Sequence, residues 1–211
     1  MHQNHPLKGA GMEYSFHLFN KLAADGIALC THKLLEEQAG ELTQNKKNAA
    51  SLPVVVCVGS DLAIGDSLGP LVGSMLRFKT QGLGAYIYGC LSSPVTAREV
   101  KYIGRFLKKT HADRQIIAVD AAVGEESDIG LIKVNDQPLK PGSGASKDLG
   151  KFGDITVMGV VAEKSIGNYA LLHSTRLRLV YKMAEQISDA LASVLWERKA
   201  KSVERTIGKN G

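Results

Sequence analysis

The sequence LPVVVCVGSDLAIGDSLGP, residues 52–70, decides the fold class of this chain. Its first part, residues 52–58, is an apolar run rich in valine and without polar alternation. Such a run is typical of a strand that is covered on both faces in a parallel sheet. From Leu68 onward apolar residues recur at helical spacing, and Pro70 is tolerated in the first turn of a helix. The stretch therefore predicts a strand, a loop and a helix in succession.

The same alternation of strands and helices continues towards the end of the chain. Strands are predicted at residues 85–88, 115–119, 131–134 and 155–161, and helices at residues 94–109 and 169–196. This order predicts an α/β fold with three layers, α/β/α, around a mostly parallel, doubly wound sheet. Ligands of such sheets bind outside the carboxyl ends of the strands.

The length of 211 residues fits one domain with a substantial core. Residues 15–38 carry apolar positions at helical spacing and are followed by a polar stretch, so residues 1–50 are predicted to be a helical N-terminal extension and linker. Residues 51–196 are predicted to form a single α/β hydrolase-like domain. Residues 197–211 contain five basic and two acidic side chains and are predicted to be a basic, flexible tail.

Composition restricts the classes of function. Hydrophobic residues make up 44% of the chain and charged residues 22%, which is ordinary for a globular protein. The three cysteines are far apart and have no histidine at metal-ligand spacing, so no disulfide or zinc site is expected, and without a phosphate loop or a GxGxxG fingerprint no cofactor is expected. The apolar runs are only strand-sized, which predicts a cytoplasmic protein without membrane contact. Most of the net charge of +5 lies in the tail, so no nucleic-acid partner is expected.

Two aspartates are the main candidates for chemistry. Asp66 lies in the loop after the first predicted strand of the sheet, and Asp120 directly follows the strand predicted at residues 115–119. Two carboxyl groups at neighbouring strand ends can share one proton, so that one acts as general base on a water and the other donates to a substrate carbonyl. Each also has an alternative role, because Asp66 can cap the following helix and Asp120 can shape a turn.

A serine esterase is a third hypothesis. Residues 65–68 spell GDSL, the nucleophile block of a hydrolase family, with Ser67 as the nucleophile. That block normally follows its strand directly, whereas five residues intervene here. The only histidine after Asp120 is His173, and Ala170 stands where that family has the aspartate that orients the base.

Three ordered blocks of the sequence resemble a known family. Residues 59–73, residues 116–124 (IIAVDAAVG) and the PGSG loop at residues 141–144 are similar to the sporulation protein family typified by YyaC. That family is related to the spore germination protease and, more distantly, to the hydrogenase maturation proteases. The resemblance implies the phosphorylase/hydrolase-like fold of those proteases.

The resemblance also implies an activity and a set of site residues. The germination protease is an atypical aspartic peptidase of small acid-soluble spore proteins, with catalytic aspartates in a D-x-L-G-P unit and a V/I-D-A-L unit. Asp66 and Asp120 match these two positions. Ser60 and Asp61 flank Asp66 and can hold a substrate backbone. In the long segment 135–154, which is expected to border the cleft, we expect Gly142, Gly144 and Lys147 to contact substrate.

The hydrogenase maturation proteases bind nickel, but Ser67 occupies the position of their glutamate ligand, so we expect no metal. His173 is expected at a helix surface. The leading hypothesis is therefore a cytoplasmic peptidase of the sporulating cell or developing spore, acting on a protein or peptide substrate such as a small spore protein. The alternative is a catalytically silent protein that binds a peptide or partner in the same cleft. The sequence also allows a homo-oligomer.

Overall fold

The computed structural model describes residues 11–41, 51–96, 98–139, 152–164 and 175–207. The strands in chain order are β1 (Glu13–His17), β2 (Val54–Cys57), β3 (Ile87–Tyr88), β4 (Ile116–Gly124), β5 (Leu131–Asn135) and β6 (Ile155–Glu163). The helices are α1 (Ala23–Glu41), α2 (Leu68–Lys79), α3 (Val100–Thr110) and α4 (Leu177–Ile207). Two single-turn 3₁₀ helices lie at Gly65–Ser67 and Glu126–Asp128.

The strands form one six-stranded sheet in the order β1-β5-β6-β4-β2-β3. Among these strands only β5 runs against its neighbours, and β6, β4, β2 and β3 pair in parallel. Helices α1, α2 and α4 pack on one face of the sheet, and α3 packs on the other. The predicted α/β fold with a mostly parallel sheet and helices on both faces is confirmed.

The valines of β2 explain why that strand decides the fold. Val55 and Cys57 belong to the core beneath α1, α2 and α4, whereas Val54 and Val56 belong to the smaller core beneath α3. All four are completely buried. Because successive side chains of a strand point to opposite faces, a strand covered on both faces has no position for a polar residue.

The N-terminal segment differs from the predicted helical extension. Residues 13–17 form strand β1, which pairs with β5, and the helix begins only at Ala23. The alternation of Tyr14 and Phe16 is a strand period, since both side chains pack towards the core while Ser15 is exposed. Helix α1 contributes completely buried side chains to the same core as β2. Residues 11–41 are therefore part of the sheet and its core.

The C-terminal helix also differs from its prediction. Helix α4 begins at Leu177 and continues to Ile207, beyond the predicted end at Trp196, so residues 197–207 are helical and not a flexible tail. Two contacts stabilise this extension. Arg198 is buried and donates to the Gln115 side chain at 3.4 Å, and Lys201 Nζ lies 3.7 Å from Glu36 Oε1 of α1. In the described ranges no helix is long and apolar enough to cross a membrane.

Candidate functional site

The sequence predicted that Asp120 directly follows its strand, but Asp120 lies within strand β4. Strand β2 ends at Cys57, opposite Val119, whereas β6 continues and pairs Met158 with Asp120. Asp120 is therefore the first residue of β4 beyond the end of β2. Its side chain points to the same face of the sheet as that of Ala118, which packs in the core beneath α3.

A tight turn places Asp66 over the end of β2. Gly59 has a φ of +143°, a conformation that favours glycine, and the Ser60 N–H donates to the backbone oxygen of Asp66 at 3.1 Å. The 3₁₀ turn that contains Asp66 packs against β4. Neither this turn nor α2 begins with a side-chain capping bond, so the helix-cap role for Asp66 finds no support.

The two carboxyl groups interact electrostatically. Burial and, as a smaller cause, the nearby charge of Asp66 together raise the pKa of Asp120 from its ordinary 3.8 to about 8, although the Ala121 N–H donates to Asp120 Oδ1 at 2.8 Å and opposes the shift. Burial also raises the pKa of Asp66, against the opposing effect of the Ser60 backbone N–H. Protein atoms pack densely around the Asp120 carboxyl group, yet both residues keep part of their surface exposed.

Unequal acidity is what a general acid and base pair requires. At neutral pH Asp120 holds its proton, since its pKa lies near 8. Asp66 is then the partner that carries the negative charge. A buried acid that stays neutral can donate a hydrogen bond or a proton, and its ionised neighbour can accept one. Perturbed acids of this kind concentrate at functional sites, although structural networks also produce them.

Replacing Asp120 by asparagine should stabilise the folded protein at pH 8 and have little effect near pH 4. The unfolded chain releases this proton near pH 3.8, whereas the folded protein retains it until about pH 8. The stability that protonated Asp120 contributes is therefore complete below pH 3.8 and is lost as the pH rises from 3.8 to about 8. Because part of Asp120 remains in contact with solvent, we discount the expected gain at pH 8 to about 2 kcal/mol.

Urea denaturation of wild type and Asp120→Asn at both pH values measures this effect. Asp61→Asn is the matched control, since Asp61 is an exposed carboxylate near Asp66 and should leave the free energy of unfolding almost unchanged at both pH values. A stability difference that does not depend on pH would contradict the raised pKa of Asp120.

Ser67 is not arranged as a nucleophile. It is only 7% exposed, and its hydroxyl donates to the backbone oxygen of Ile64 at 2.6 Å. A serine nucleophile is instead exposed to the substrate and donates to a base. The expected partner, His173, lies outside the described residues.

The other predicted site residues have different outcomes. Ser60 lies beside Asp66, to whose backbone oxygen its N–H donates, and Ser60 Oγ accepts the Leu62 N–H at 3.2 Å, whereas Asp61 is exposed in the same loop. Gly142, Gly144 and Lys147 lie outside the described residues, so their roles stay predictions. Within the described ranges no three histidine, cysteine, aspartate or glutamate side chains are grouped as metal ligands.

The two described ends of the long segment 135–154 lie at the amino-terminal end of strand β4. Leu139 and Phe152 pair as an antiparallel bridge, and the Asp154 carboxylate accepts the Ile116 N–H at 2.7 Å, at the start of β4. Both bridge residues pack in the core beneath α3, on the face to which Asp120 points. Residues 140–151 lie outside the described part, so a contact with the cleft stays a prediction.

Two exposed apolar residues in the loop before Asp66 were not predicted as site residues. Leu62 is 86% exposed and Ile64 is 37% exposed, in the turn between β2 and Asp66. Apolar side chains in a short polar turn were the signal that could have identified them. Two grooves, of about 480 and 370 Å³, lie elsewhere on the molecule, and their described lining includes neither Asp66 nor Asp120.

Comparison with known proteins places the chain in a family. A family model described as "Protein of unknown function (DUF1256)" matches residues 30–190. The protein YyaC of Bacillus subtilis (strain 168) is 41% identical over 152 residues, which cover 72% of this chain and 74% of that protein.

Among solved structures, the NiFe hydrogenase maturation protease HycI from Thermococcus kodakarensis KOD1 is similar over 68% of this chain and 92% of its own, with 16% identity and a TM-score of 0.44. The activity in its title is a property of that protein. The family match, in contrast, covers most of the present sequence, and the identity to YyaC extends over nearly three quarters of both chains. The chain therefore belongs to the DUF1256 family, with YyaC as a relative.

Proposed function

We propose that this chain is a hydrolase of the aspartic-peptidase type, with Asp66 and Asp120 as its catalytic pair. The observation that carries the proposal is the environment of Asp120, whose pKa is raised to about 8 by burial and by the charge of Asp66. The position of Asp120, one residue beyond the end of β2, supports a ligand site, because ligands of parallel sheets bind at the carboxyl ends of the strands. A purely structural role for Asp120 does not explain why the charged side chain of Asp66 lies near it.

The resemblance to the germination protease supports peptide hydrolysis as the reaction. Asp66 stands in the unit DSLGP and Asp120 in the unit VDA, which match the two catalytic units of that protease. We extend the proposal to a cytoplasmic peptidase of the sporulating cell that acts on proteins or peptides such as small spore proteins. The exposed Leu62 and Ile64 offer an apolar contact to such a chain.

The proposed reaction needs one water and one proton exchange. Ionised Asp66 takes a proton from the water while the water oxygen bonds to the scissile carbonyl carbon. At the same time Asp120 donates its proton to the carbonyl oxygen, and the product of this step is a neutral gem-diol. When the C–N bond breaks, the leaving nitrogen takes the proton from Asp66. A hydroxyl of the gem-diol returns a proton to Asp120 as the carbonyl of the product acid forms. Both aspartates then have their starting charges.

The silent binding protein remains the second candidate, and the same geometry would serve it through hydrogen bonds to a peptide. The serine esterase receives less support, because the Ser67 hydroxyl is buried and donates to a backbone carbonyl. Peptide turnover separates the first two candidates, since a binder would release its peptide intact.

The pH dependence of peptide hydrolysis tests the proposal. Unstructured polypeptides, including small spore proteins, are incubated with the full chain, and new termini are counted by mass spectrometry. We expect kcat/KM to fall as the pH rises above about 8, where Asp120 loses its proton, and to fall again in acid, where Asp66 becomes protonated. Absence of cleavage across this range, or a rate that keeps rising above pH 9, would reject the acid pair as the catalyst.

A further inference from the structure

Strand β1 leaves one edge of the sheet unpaired within the described part of the chain. It stands at the end of the strand order and pairs there with β5. The Leu18 N–H donates to Gly130, and Met12 accepts from Asp136, so the even-numbered residues of β1 bond to β5. The backbone groups of Glu13, Ser15 and His17 therefore point away from β5, and of these the His17 carbonyl already accepts the Asn20 N–H at 2.8 Å. Such an edge is a template for another strand.

The side chains of β1 are complementary to those of a second, antiparallel copy of itself. In a ladder centred on Ser15, Glu13 lies opposite His17 of the other copy, and Tyr14 lies opposite Phe16. His17 Nδ1 accepts the Phe19 N–H at 3.3 Å, so the neutral ring carries its proton on Nε2 and can donate to a carboxylate. Within one copy, Lys133 Nζ lies 4.0 Å from Glu13 Oε1. The cross-strand pairs are thus Glu13 with His17, Tyr14 with Phe16, and Ser15 with the same residue of the other copy.

Helix α1 presents exposed apolar side chains beside the same edge. Leu29 of α1 is 73% exposed, and Leu22, which directly precedes α1 and whose carbonyl accepts the Gly26 N–H, is 67% exposed. This part of α1 lies next to β1, since Lys33 sits over the Tyr14 ring at 5.7 Å and Gly26 packs against Phe16. Exposed leucines at an open sheet edge mark a surface that gains stability when another surface covers it.

We propose that two copies of this chain associate through β1, in an antiparallel ladder centred on Ser15, with Leu29 of α1 and Leu22 just before α1 from both copies packed beneath it. The contact is isologous, so each copy supplies the same residues and the assembly closes as a dimer. The two sheets become one continuous sheet of twelve described strands. In each copy Asp120 lies in β4 and Asp66 follows β2, away from the edge formed by β1. The inference does not depend on the proposed activity.

Sedimentation velocity of the full chain over a range of micromolar concentrations measures the association. We expect a dimer, and we expect Leu29→Lys to raise its dissociation constant at least about tenfold, because the change removes buried apolar surface and places two like charges together. Phe78→Lys is the matched control, since Phe78 is 74% exposed on α2 and lies away from β1. Both residues are exposed, so neither variant should unfold the monomer.

Cross-linking tests the register. The native cysteines are buried, and a thiol at position 15 would stand opposite itself at the centre of the ladder. Ser15→Cys should therefore be linked between two copies by a bifunctional thiol reagent with a reach of about 7 Å, whereas Glu13→Cys should not, because its two thiols would lie about 14 Å apart along the strands. A monomer at all concentrations would overturn the proposal. Equal weakening by the two lysine variants, or equal cross-linking at positions 13 and 15, would also overturn it.

Discussion

Replacing Asp120 by asparagine should lower the rate of peptide hydrolysis by about a hundredfold or more, and Asp66→Asn should do the same. Each change keeps the shape of the side chain but removes a group that takes or gives a proton in the transition state, and such groups contribute about a hundredfold to ten-thousandfold. The loss should appear in kcat, since an amide can still hydrogen-bond to the substrate in place of the carboxyl group. Steady-state kinetics on one cleaved peptide, at pH 7, measures both parameters.

Two matched variants control for effects of the turn. Asp61→Asn removes an exposed carboxylate of the same turn, and because Asp61 is a candidate substrate contact this variant should change KM and leave kcat almost unchanged. Ser67→Ala removes the bond to the Ile64 carbonyl, which should cost about 1 kcal/mol of stability but leave most of the hydrolysis. If Ser67→Ala abolished the reaction while Asp120→Asn preserved it, the serine nucleophile would replace the aspartate pair. Thermal unfolding of each variant shows whether a loss of rate is only a loss of folded protein.

The same variants identify a silent binder. A protein that binds peptide without cleaving it should bind equally well as Asp120→Asn at pH 7, where Asp120 is already neutral, and more tightly above pH 8, where asparagine lacks the charge that Asp120 acquires. Calorimetric titration with an uncleaved peptide measures that affinity. Tighter binding by the variant together with no turnover by wild type would support the binding hypothesis.

The core sheet could be predicted from the sequence because its pattern is strong and local. The valine run of β2 has no polar position, and that property follows directly from burial on both faces. Strand β1 was missed because it is only five residues long and is followed closely by the helix, so that Phe16 and Phe19 imitate a helical period. Its partner, β5, is more than one hundred residues away in the sequence, and propensity reasoning has no access to such a pairing.

The candidate site could be located from the sequence, but its geometry could not. Asp66 and Asp120 were identified from strand ends and from family resemblance. The position of Asp120 inside β4 depends on where its neighbour β2 ends, which is a property of the sheet as a whole. The unequal acidity of the two groups depends on the atoms packed around each carboxyl group. Neither quantity is encoded in a local pattern.

Replacing Gly69 by alanine should lower the free energy of unfolding by about 3 kcal/mol or more. Gly69 lies in the first turn of α2, and a Cβ atom there would come within 2.0 Å of the backbone oxygen of Val58 and 2.7 Å of its carbonyl carbon. Those atoms belong to the backbone next to β2, so no side chain can rotate to relieve the clash. The helix would have to move away from the sheet, and such forced repacking costs 1–3 kcal/mol or more. Urea denaturation midpoints measure the loss.

Gly104→Ala is the matched control, since Gly104 lies in helix α3 and a Cβ atom there would meet no atom within 4 Å. Alanine should stabilise that helix by about 0.5–1 kcal/mol, because glycine loses more backbone entropy on folding. The opposite signs of the two changes would show that the glycine of the DSLGP unit is required for close packing of α2 on β2. Since Asp66 lies three residues before Gly69, the displacement of α2 should also reduce hydrolysis in the folded fraction of Gly69→Ala. A Gly69→Ala variant as stable as Gly104→Ala would show that α2 does not approach β2 this closely.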